Sequence, residues 1–271
     1  MVIREFGTEN EKHLLFFQGS CEPWQEFAPA AERLGEQFHV MLVTPDGHDP
    51  DEHTDFISVE KTVDDAVLWL GSNGIDRLDA LYGLSFGGGM VVRFLVTQSV
   101  PVRKAIIDAG TAPYRFSKWI CKLICVRVFL MARIGAGSIP AMKAAFPPGR
   151  FAHDPEHSDE EYREIRRYLK TYSNKTIWNI FWSANNYAVP KHAPKLDTQI
   201  QFWVGEDEWK ERFRDLRWTE AYLPEIEVVK IPHMMHGELV MMHPDAFAER
   251  ALAFFTEKKR GYQKWDCSES M

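Results

Sequence analysis

Short, apolar, β-rich runs alternate with longer helical patterns along most of this chain, and this alternation constrains the fold more than any other feature. The predicted strands are His13–Gln18, Phe38–Thr44, Leu78–Leu84, Arg103–Asp108, Gln199–Gly205 and Glu227–Ile231, with an earlier edge strand near Val2–Phe6. The predicted helices are Trp24–Glu36, Glu60–Leu70, Phe86–Gln98, Arg212–Leu223 and Glu238–Thr256. Strand–helix–strand units of this kind join parallel strands. The sequence therefore predicts an α/β fold, with a mostly parallel sheet and helices on both of its faces.

One long segment, Pro113–Pro194, interrupts the alternation because it contains helical patterns and turns but no convincing strand. Within it, Ser158 and Glu161 have the spacing of a capping box, which predicts the start of a helix that runs towards Lys170. An inserted segment of this length is typical of a lid rather than of a structureless loop. We therefore expect a core formed by residues 1–112 and 195–260, a helical cap at residues 113–194 and a flexible tail at residues 261–271.

The longest apolar run, Trp119–Ile134, contains the basic residues Lys122, Arg127 and Arg133. A membrane span needs about 20 nearly uncharged residues, so this run predicts a buried or half-buried helix instead. The first ten residues are charged and lack the apolar segment of a signal peptide. These observations favour a cytoplasmic protein that has no membrane partner.

Composition argues against two further classes of protein. The chain of 271 residues has a net charge of −7, and no segment concentrates Lys and Arg, which argues against a nucleic-acid partner. Its four cysteines are too few for a disulfide framework. Cys121 and Cys125 lie four residues apart on one face of a predicted helix, and this spacing favours core packing over a metal half-site. No metal or organic cofactor is expected.

The strongest local motif is Gly83-Leu84-Ser85-Phe86-Gly87, a G-x-S-x-G sequence directly after the strand Leu78–Leu84. The small residues on either side of Ser85 allow a tight turn from strand to helix, which lifts the serine into an exposed and strained position. The helix that follows directs backbone N–H groups towards the place where an oxyanion would form. This context predicts that Ser85 is a nucleophile.

A histidine that could act as general base follows the last predicted strand. His236 precedes Gly237, so the chain has room for a turn that directs the ring inwards, and it lies at the carboxyl ends of the strands, as Ser85 does. His233 is the alternative base, whereas His243 falls within a helical pattern. We favour His236.

Four acidic residues could orient the imidazole of this base and stabilise its charged form. Glu206, Asp207 and Glu208 follow the strand Gln199–Gly205 directly, and Asp108 ends another strand. We rank Glu208 first, Asp207 second and Asp108 third.

In its order of motifs the chain resembles the α/β-hydrolase family. The resemblance rests on the Gln18-Gly19 loop, Trp24, the segment Val43–His48, the Ser85 turn, an acid after the next-to-last strand and His236 before the last helix. It implies a mostly parallel sheet of about eight strands with a helical cap inserted after the sixth. It also implies a G-x-x-D/E turn with Glu208 as the acid, or the rarer position at Asp108. Many relatives have His-Gly where this chain has Gln18-Gly19, a difference that concerns loop geometry, and Asp46-Gly47-His48 is interpreted as scaffold.

The resemblance further implies an oxyanion hole formed by the N–H of Phe86 and by that of Ser20 or Cys21. A serine at the turn favours acyl transfer to water, so we expect a carboxylesterase-like hydrolase of a small or medium apolar ester, thioester or lactone. The cap residues expected to contact this small-molecule substrate are Trp119, Trp178 and Trp182. Two alternatives are a peptidase or C–C bond hydrolase with the same residues, and a small-molecule receptor with the same fold.

Overall fold

A seven-stranded sheet forms the centre of the protein in a computed structural model, which describes residues 1–135 and 138–257. The strands are β1 (Val2–Phe6), β2 (His13–Phe17), β3 (His39–Thr44), β4 (Leu78–Leu84), β5 (Val102–Asp108), β6 (Gln199–Gly205) and β7 (Glu227–Ile231). They lie in the order β1-β3-β2-β4-β5-β6-β7, and β1 runs antiparallel to β3 whereas the other pairs are parallel. The predicted α/β class and mostly parallel sheet are confirmed.

Helices lie between and after these strands. They are α1 (Ala28–Gly35), α2 (Val59–Ser72), α3 (Phe86–Thr97), α4 (Lys118–Gly135), α5 (Ile139–Ala145), α6 (Pro148–Phe151), α7 (Asp159–Thr171), α8 (Asn174–Ala184), α9 (Lys210–Tyr222), α10 (Glu238–Met242) and α11 (Pro244–Thr256). Helices α4–α8 form the insertion between β5 and β6. The insertion therefore follows the fifth of seven strands, whereas the resemblance implied the sixth of about eight. Among the described residues, no helix is long and apolar enough to cross a membrane. The predicted tail at residues 261–271 lies outside the described residues.

Two apolar clusters cover the two faces of the sheet, and the strands supply both. Along β2, Leu15 and Phe17 belong to one cluster, whereas Leu14 and Phe16 belong to the other. Successive side chains of a strand point to opposite faces, so a strand between two helical layers buries apolar side chains on both of its faces. This is why the strands could be recognised from their continuous apolar runs.

One predicted helix is divided in the structure, and another forms without its predicted capping box. The last helix is divided at His243 because Pro244 starts a new helix, and proline is favoured in a first helical turn but not in an interior. The helix predicted to start at Ser158 is confirmed as α7, but the capping box itself does not form, since the Ser158 side chain makes no cap hydrogen bond and instead accepts one from Lys143 Nζ at 3.0 Å. Glu161 accepts from the backbone N–H groups of His153 and Asp154, 3.0 and 3.1 Å away.

Candidate active site

The turn between β4 and α3 holds Ser85 in a backbone conformation that residues other than glycine rarely adopt. Its φ is +54° and its ψ is −110°, and its N–H donates to the Asp108 carbonyl at 2.7 Å. A Cβ at Gly83 would lie 2.3 Å from the Gly87 carbonyl oxygen, and a Cβ at Gly87 would lie 2.3 Å from the Phe17 carbonyl oxygen. Both glycines are therefore required by close approach of the backbone, and the strained serine is held by its surroundings.

The loop after β2 packs directly on this turn. A Cβ at Gly19 would lie 3.3 Å from Leu84 Cδ2, so the loop passes beside the residue that precedes Ser85. The buried Gln18 side chain accepts from Thr44 Oγ1 at 2.8 Å and donates to the Glu22 carbonyl at 3.2 Å. Gln18 thus ties the loop to β3 through hydrogen bonds.

His236 and Glu208 form a buried pair at the carboxyl edge of the sheet. His236 Nδ1 and Glu208 Oε2 are 2.9 Å apart, and both residues are almost fully buried. A carboxylate only accepts hydrogen bonds, so this geometry assigns the proton to Nδ1 and leaves Nε2 as an acceptor. The Trp209 ring stacks on the imidazole with centroids 4.7 Å apart. Trp209, which the sequence interpretation missed, therefore packs against one face of the ring.

The histidine loop reaches the Ser85 turn. A Cβ at Gly237, the residue after His236, would lie 3.0 Å from Leu84 Cδ2, and Gly237 itself has a φ of +70°. The structure thus brings together the loops that carry Ser85, His236 and Glu208. His233 and His243, by contrast, have exposed side chains.

The two acids ranked after Glu208, Asp207 and Asp108, have different partners. Asp207 Oδ2 accepts from Arg150 Nη1 at 3.0 Å on the outer side of the turn. Asp108 lies beneath the site and accepts from the Tyr82 hydroxyl at 2.7 Å. Burial, together with the Glu208 carboxylate, raises the pKa of Asp108 to about 7, although the Tyr82 hydrogen bond opposes that shift. Among the four acids, Glu208 is the one that contacts His236.

Arg150 of the insertion is a further residue that sequence reasoning missed. Its Nε lies 2.9 Å from Glu238 Oε2, and its Nη2 donates to the His233 carbonyl. With the Asp207 contact, one guanidinium bridges the loop that carries Glu208 and the loop that carries His236. These partners are distant in sequence, so no local pattern could have revealed the contact.

An apolar cavity of about 250 Å³ lies between the insertion and the core. Its walls include Ala132, Ala141, Met142, Ala145, Phe146, Phe151, Tyr162, Ile165, Leu169, Met241 and Met242, together with residues 21–23 and Glu26. Phe146 contacts Trp209, with ring centroids 5.6 Å apart. Only the Trp209 ring therefore separates this cavity wall from the His236 imidazole. Trp119, Trp178 and Trp182 are not part of these walls; Trp119 is exposed and Trp178 packs on Phe129.

One polar group in the cavity wall has a perturbed ionisation. Burial, and the nearby Glu26 carboxylate, raise the pKa of Glu22 to about 8. Near neutral pH the Glu22 carboxyl therefore tends to keep its proton, so it adds no full charge to the cavity. Within residues 1–135 and 138–257, no group of three or more His, Cys, Asp or Glu side chains is arranged to hold a metal ion.

A family model described as the alpha/beta hydrolase family matches residues 14–250 of this chain. The chain belongs to the alpha/beta hydrolase family. No curated protein sequence matches it. Among solved structures of similar fold, an alpha/beta hydrolase enzyme from a Medee basin deep-sea metagenome library has a TM-score of 0.77 at 16% identity, over 97% of this chain and 96% of that chain.

Two further structures extend this comparison of the alpha/beta hydrolase fold. The enol-lactonase from Burkholderia xenovorans has a TM-score of 0.69 at 17% identity, over 94% of this chain and 96% of that chain. A structure from a study of carboxylesterases of the thaumarchaeon Nitrososphaera gargenis has a TM-score of 0.69 at 15% identity, over 94% and 93%. Identities this low establish the shared fold and leave activity to be argued from the site.

Proposed function

We propose that this alpha/beta hydrolase is a serine hydrolase that cleaves small or medium, largely apolar esters, thioesters or lactones. The observation that carries the proposal is the buried hydrogen bond between His236 and Glu208, held beside the strained turn at Ser85. A strained nucleophile, a base and a group that orients the base are the parts that acyl transfer requires.

In the proposed mechanism, His236 Nε2 takes the proton of Ser85 Oγ as that oxygen attacks the acyl carbon. Glu208 accepts from Nδ1–H and stabilises the imidazolium that forms. The leaving alcohol or thiol then receives the proton from Nε2. In the second half, Nε2 takes a proton from water as the water oxygen attacks the acyl carbon, and Ser85 Oγ receives that proton as its bond to the acyl carbon breaks.

Negative charge on the acyl oxygen requires donors close to Ser85. Phe86 is the first residue of α3, and the first N–H groups of a helix have no partner within it. We assign this N–H and that of Ser20 as the oxyanion hole, since the Gln18-Gly19 loop packs on the turn.

The insertion is proposed to act as a cap at residues 113–194 over a core of residues 1–112 and 195–260. Its helices supply most of the apolar cavity wall, and the Phe146–Trp209 contact links that wall to the proposed base. A cavity of about 250 Å³ accommodates a small or medium apolar group.

Labelling with a fluorophosphonate, followed by intact-mass analysis, tests the nucleophile. The wild-type chain should gain one adduct, and Ser85→Ala should gain none. Ser72→Ala, which removes an exposed serine of α2, is the matched control and should label like the wild type. A folded wild-type chain that forms no adduct would contradict the proposed activation of Ser85.

Turnover separates the alternative activities. Rapid hydrolysis of a simple aryl ester by the wild type, lost in Ser85→Ala and in His236→Asn, would support the esterase and count against a receptor. Reaction with amino-acid arylamides in preference to esters would favour a peptidase.

A further inference from the structure

Helix α4 of the insertion presents an apolar stripe on its outer side. Trp119, Leu123, Val126 and Leu130 follow one another at i, i+4, i+7 and i+11, so they share one helical face. Their exposed fractions are 70%, 52%, 41% and 53%. Ile120 borders the stripe and is also exposed. Contiguous exposed apolar surface of this kind indicates a binding surface rather than scattered surface residues.

The opposite side of α4 is already used for packing. Cys121 and Cys125 are buried, Cys121 Sγ contacts Asn186 Nδ2 at 2.9 Å, and Phe129 packs on Trp178 of α8. The sequence prediction of a half-buried helix therefore describes this inner side. It did not anticipate that the outer side would be apolar as well.

The charged residues of α4 are all positive. Lys118 and Lys122 border it on one side and Arg127 on the other, and α4 contains no Asp or Glu. These three side chains are exposed and form no ion pair with any part of the chain that the structure describes. The chain as a whole carries a net charge of −7, so this cationic helix stands out from the rest of the protein.

We propose that the outer face of α4 docks the protein onto an anionic lipid surface, with the stripe in the boundary between headgroups and acyl chains. A helix with a basic border, an apolar face and a tryptophan is suited to lie in the plane of that boundary without crossing it. The three cations face lipid headgroups of opposite charge. This docking differs from the sequence-based expectation of no membrane partner, which rested on the absence of a spanning segment.

A second copy of the chain is a poorer occupant of the same face. Two α4 helices packed face to face would bring two sets of basic residues together, and α4 offers no carboxylate to pair with them. An anionic lipid surface would instead attract these basic side chains.

The proposed docking helix lies next to the apolar cavity. Ala132 of α4 forms part of the apolar cavity wall, so the helix that would lie on the lipid also borders the proposed substrate pocket. The docking proposal itself does not depend on catalysis, because it is tested by binding.

Flotation with vesicles tests the proposal on the full chain. The probes are vesicles of phosphatidylcholine alone and vesicles of phosphatidylcholine and phosphatidylglycerol in equal amounts. The wild type should float with the anionic vesicles, and binding should weaken as salt is raised. Leu123→Glu and the double variant Lys122→Glu/Arg127→Glu should each lower the partition coefficient by about tenfold or more.

Matched controls keep this result specific. Leu68→Glu alters a leucine of α2 that is 69% exposed, and Lys170→Glu alters an exposed lysine of α7; both should bind as the wild type does. Equal binding to neutral and anionic vesicles, or unchanged binding of the α4 variants, would overturn the proposal. A dimer in sedimentation analysis that Leu123→Glu dissociates, with no vesicle binding, would overturn it in favour of a second copy.

Discussion

At the scale of single residues, neighbouring acids in one turn have separate roles. Glu208 points inwards to His236, whereas Asp207 points outwards to Arg150, because adjacent residues of a turn face different directions. The backbone N–H of Trp209 donates to Glu208 Oε1 at 2.8 Å, so both carboxylate oxygens of Glu208 have a partner. A carboxylate held at both oxygens can fix the orientation of the imidazole.

Glu208→Gln should lower kcat for an aryl ester by about a hundredfold or more, because the amide can force the wrong imidazole tautomer and cannot stabilise the imidazolium. KM should change little, since in the proposed mechanism Glu208 acts through His236 rather than on the substrate itself. Asp207→Asn is the matched control one residue away and should retain kcat within about tenfold, because it alters only the contact with Arg150. Steady-state kinetics of both variants decide the assignment, and a larger loss in Asp207→Asn would reverse it.

At the scale of elements, the short helix α6 connects the insertion to the proposed catalytic loops through Arg150. Its guanidinium contacts Asp207, Glu238 and the His233 carbonyl, and Glu238 in turn accepts from the Met235 N–H at 2.8 Å. Removal of the guanidinium would leave the buried Glu238 carboxylate without its cation, and that loss loosens the loop that holds His236.

Arg150→Met should therefore lower kcat/KM by about tenfold or more, since small displacements of catalytic groups have large effects on rate. Arg150→Lys should recover part of the loss, because it restores the charge but not the forked geometry. Arg163→Met, which removes only exposed ion pairs on α7, should leave kcat/KM unchanged. Kinetics combined with thermal unfolding of each variant separate loop positioning from failure to fold. An Arg150→Met protein with wild-type kinetics would show that the bridge has no part in catalysis.

The elements that sequence predicted well are those whose residues are determined by burial on both sides. β2 and β4 are apolar at all but one position each because helices cover both faces of the sheet. Contacts between distant segments were not predictable in this way. Gln18 with Thr44, Trp209 with His236 and Arg150 with Glu238 each join residues whose proximity follows only from packing of the finished fold.

At the scale of the whole molecule, the parallel sheet determines where the site can form. Leu84, Asp108 and Trp203 are partners across β4, β5 and β6, so the loops after these strands all leave at one edge. Sequence order alone could place Ser85, Asp108, Glu208 and His236 at that edge, because parallel strands end together. It could not decide which acid meets the histidine, since that depends on side-chain direction within the turn.

Asp108 ends β5 at this edge and is also buried, and this burial makes the stability of the whole fold depend on pH. The pKa of Asp108 is about 7 in the folded chain, mainly because burial disfavours the carboxylate, against an ordinary value of 3.8. Between about pH 4 and pH 7 the folded chain therefore keeps a proton that the unfolded chain has released. The stability that the protonated Asp108 allows is fully present below about pH 4. It is lost as the pH rises through about 7, where the buried carboxyl ionises.

Asp108→Asn cannot ionise and can still accept a hydrogen bond from Tyr82. Its free energy of unfolding in urea should be close to that of the wild type at pH 4, and should exceed it by up to about 4 kcal/mol at pH 8. Asp64→Asn, which neutralises an exposed carboxylate of α2, is the control and should show no such dependence on pH. A difference between Asp108→Asn and the wild type that stays the same at both pH values would mean that the substitution acts through packing rather than through the buried charge.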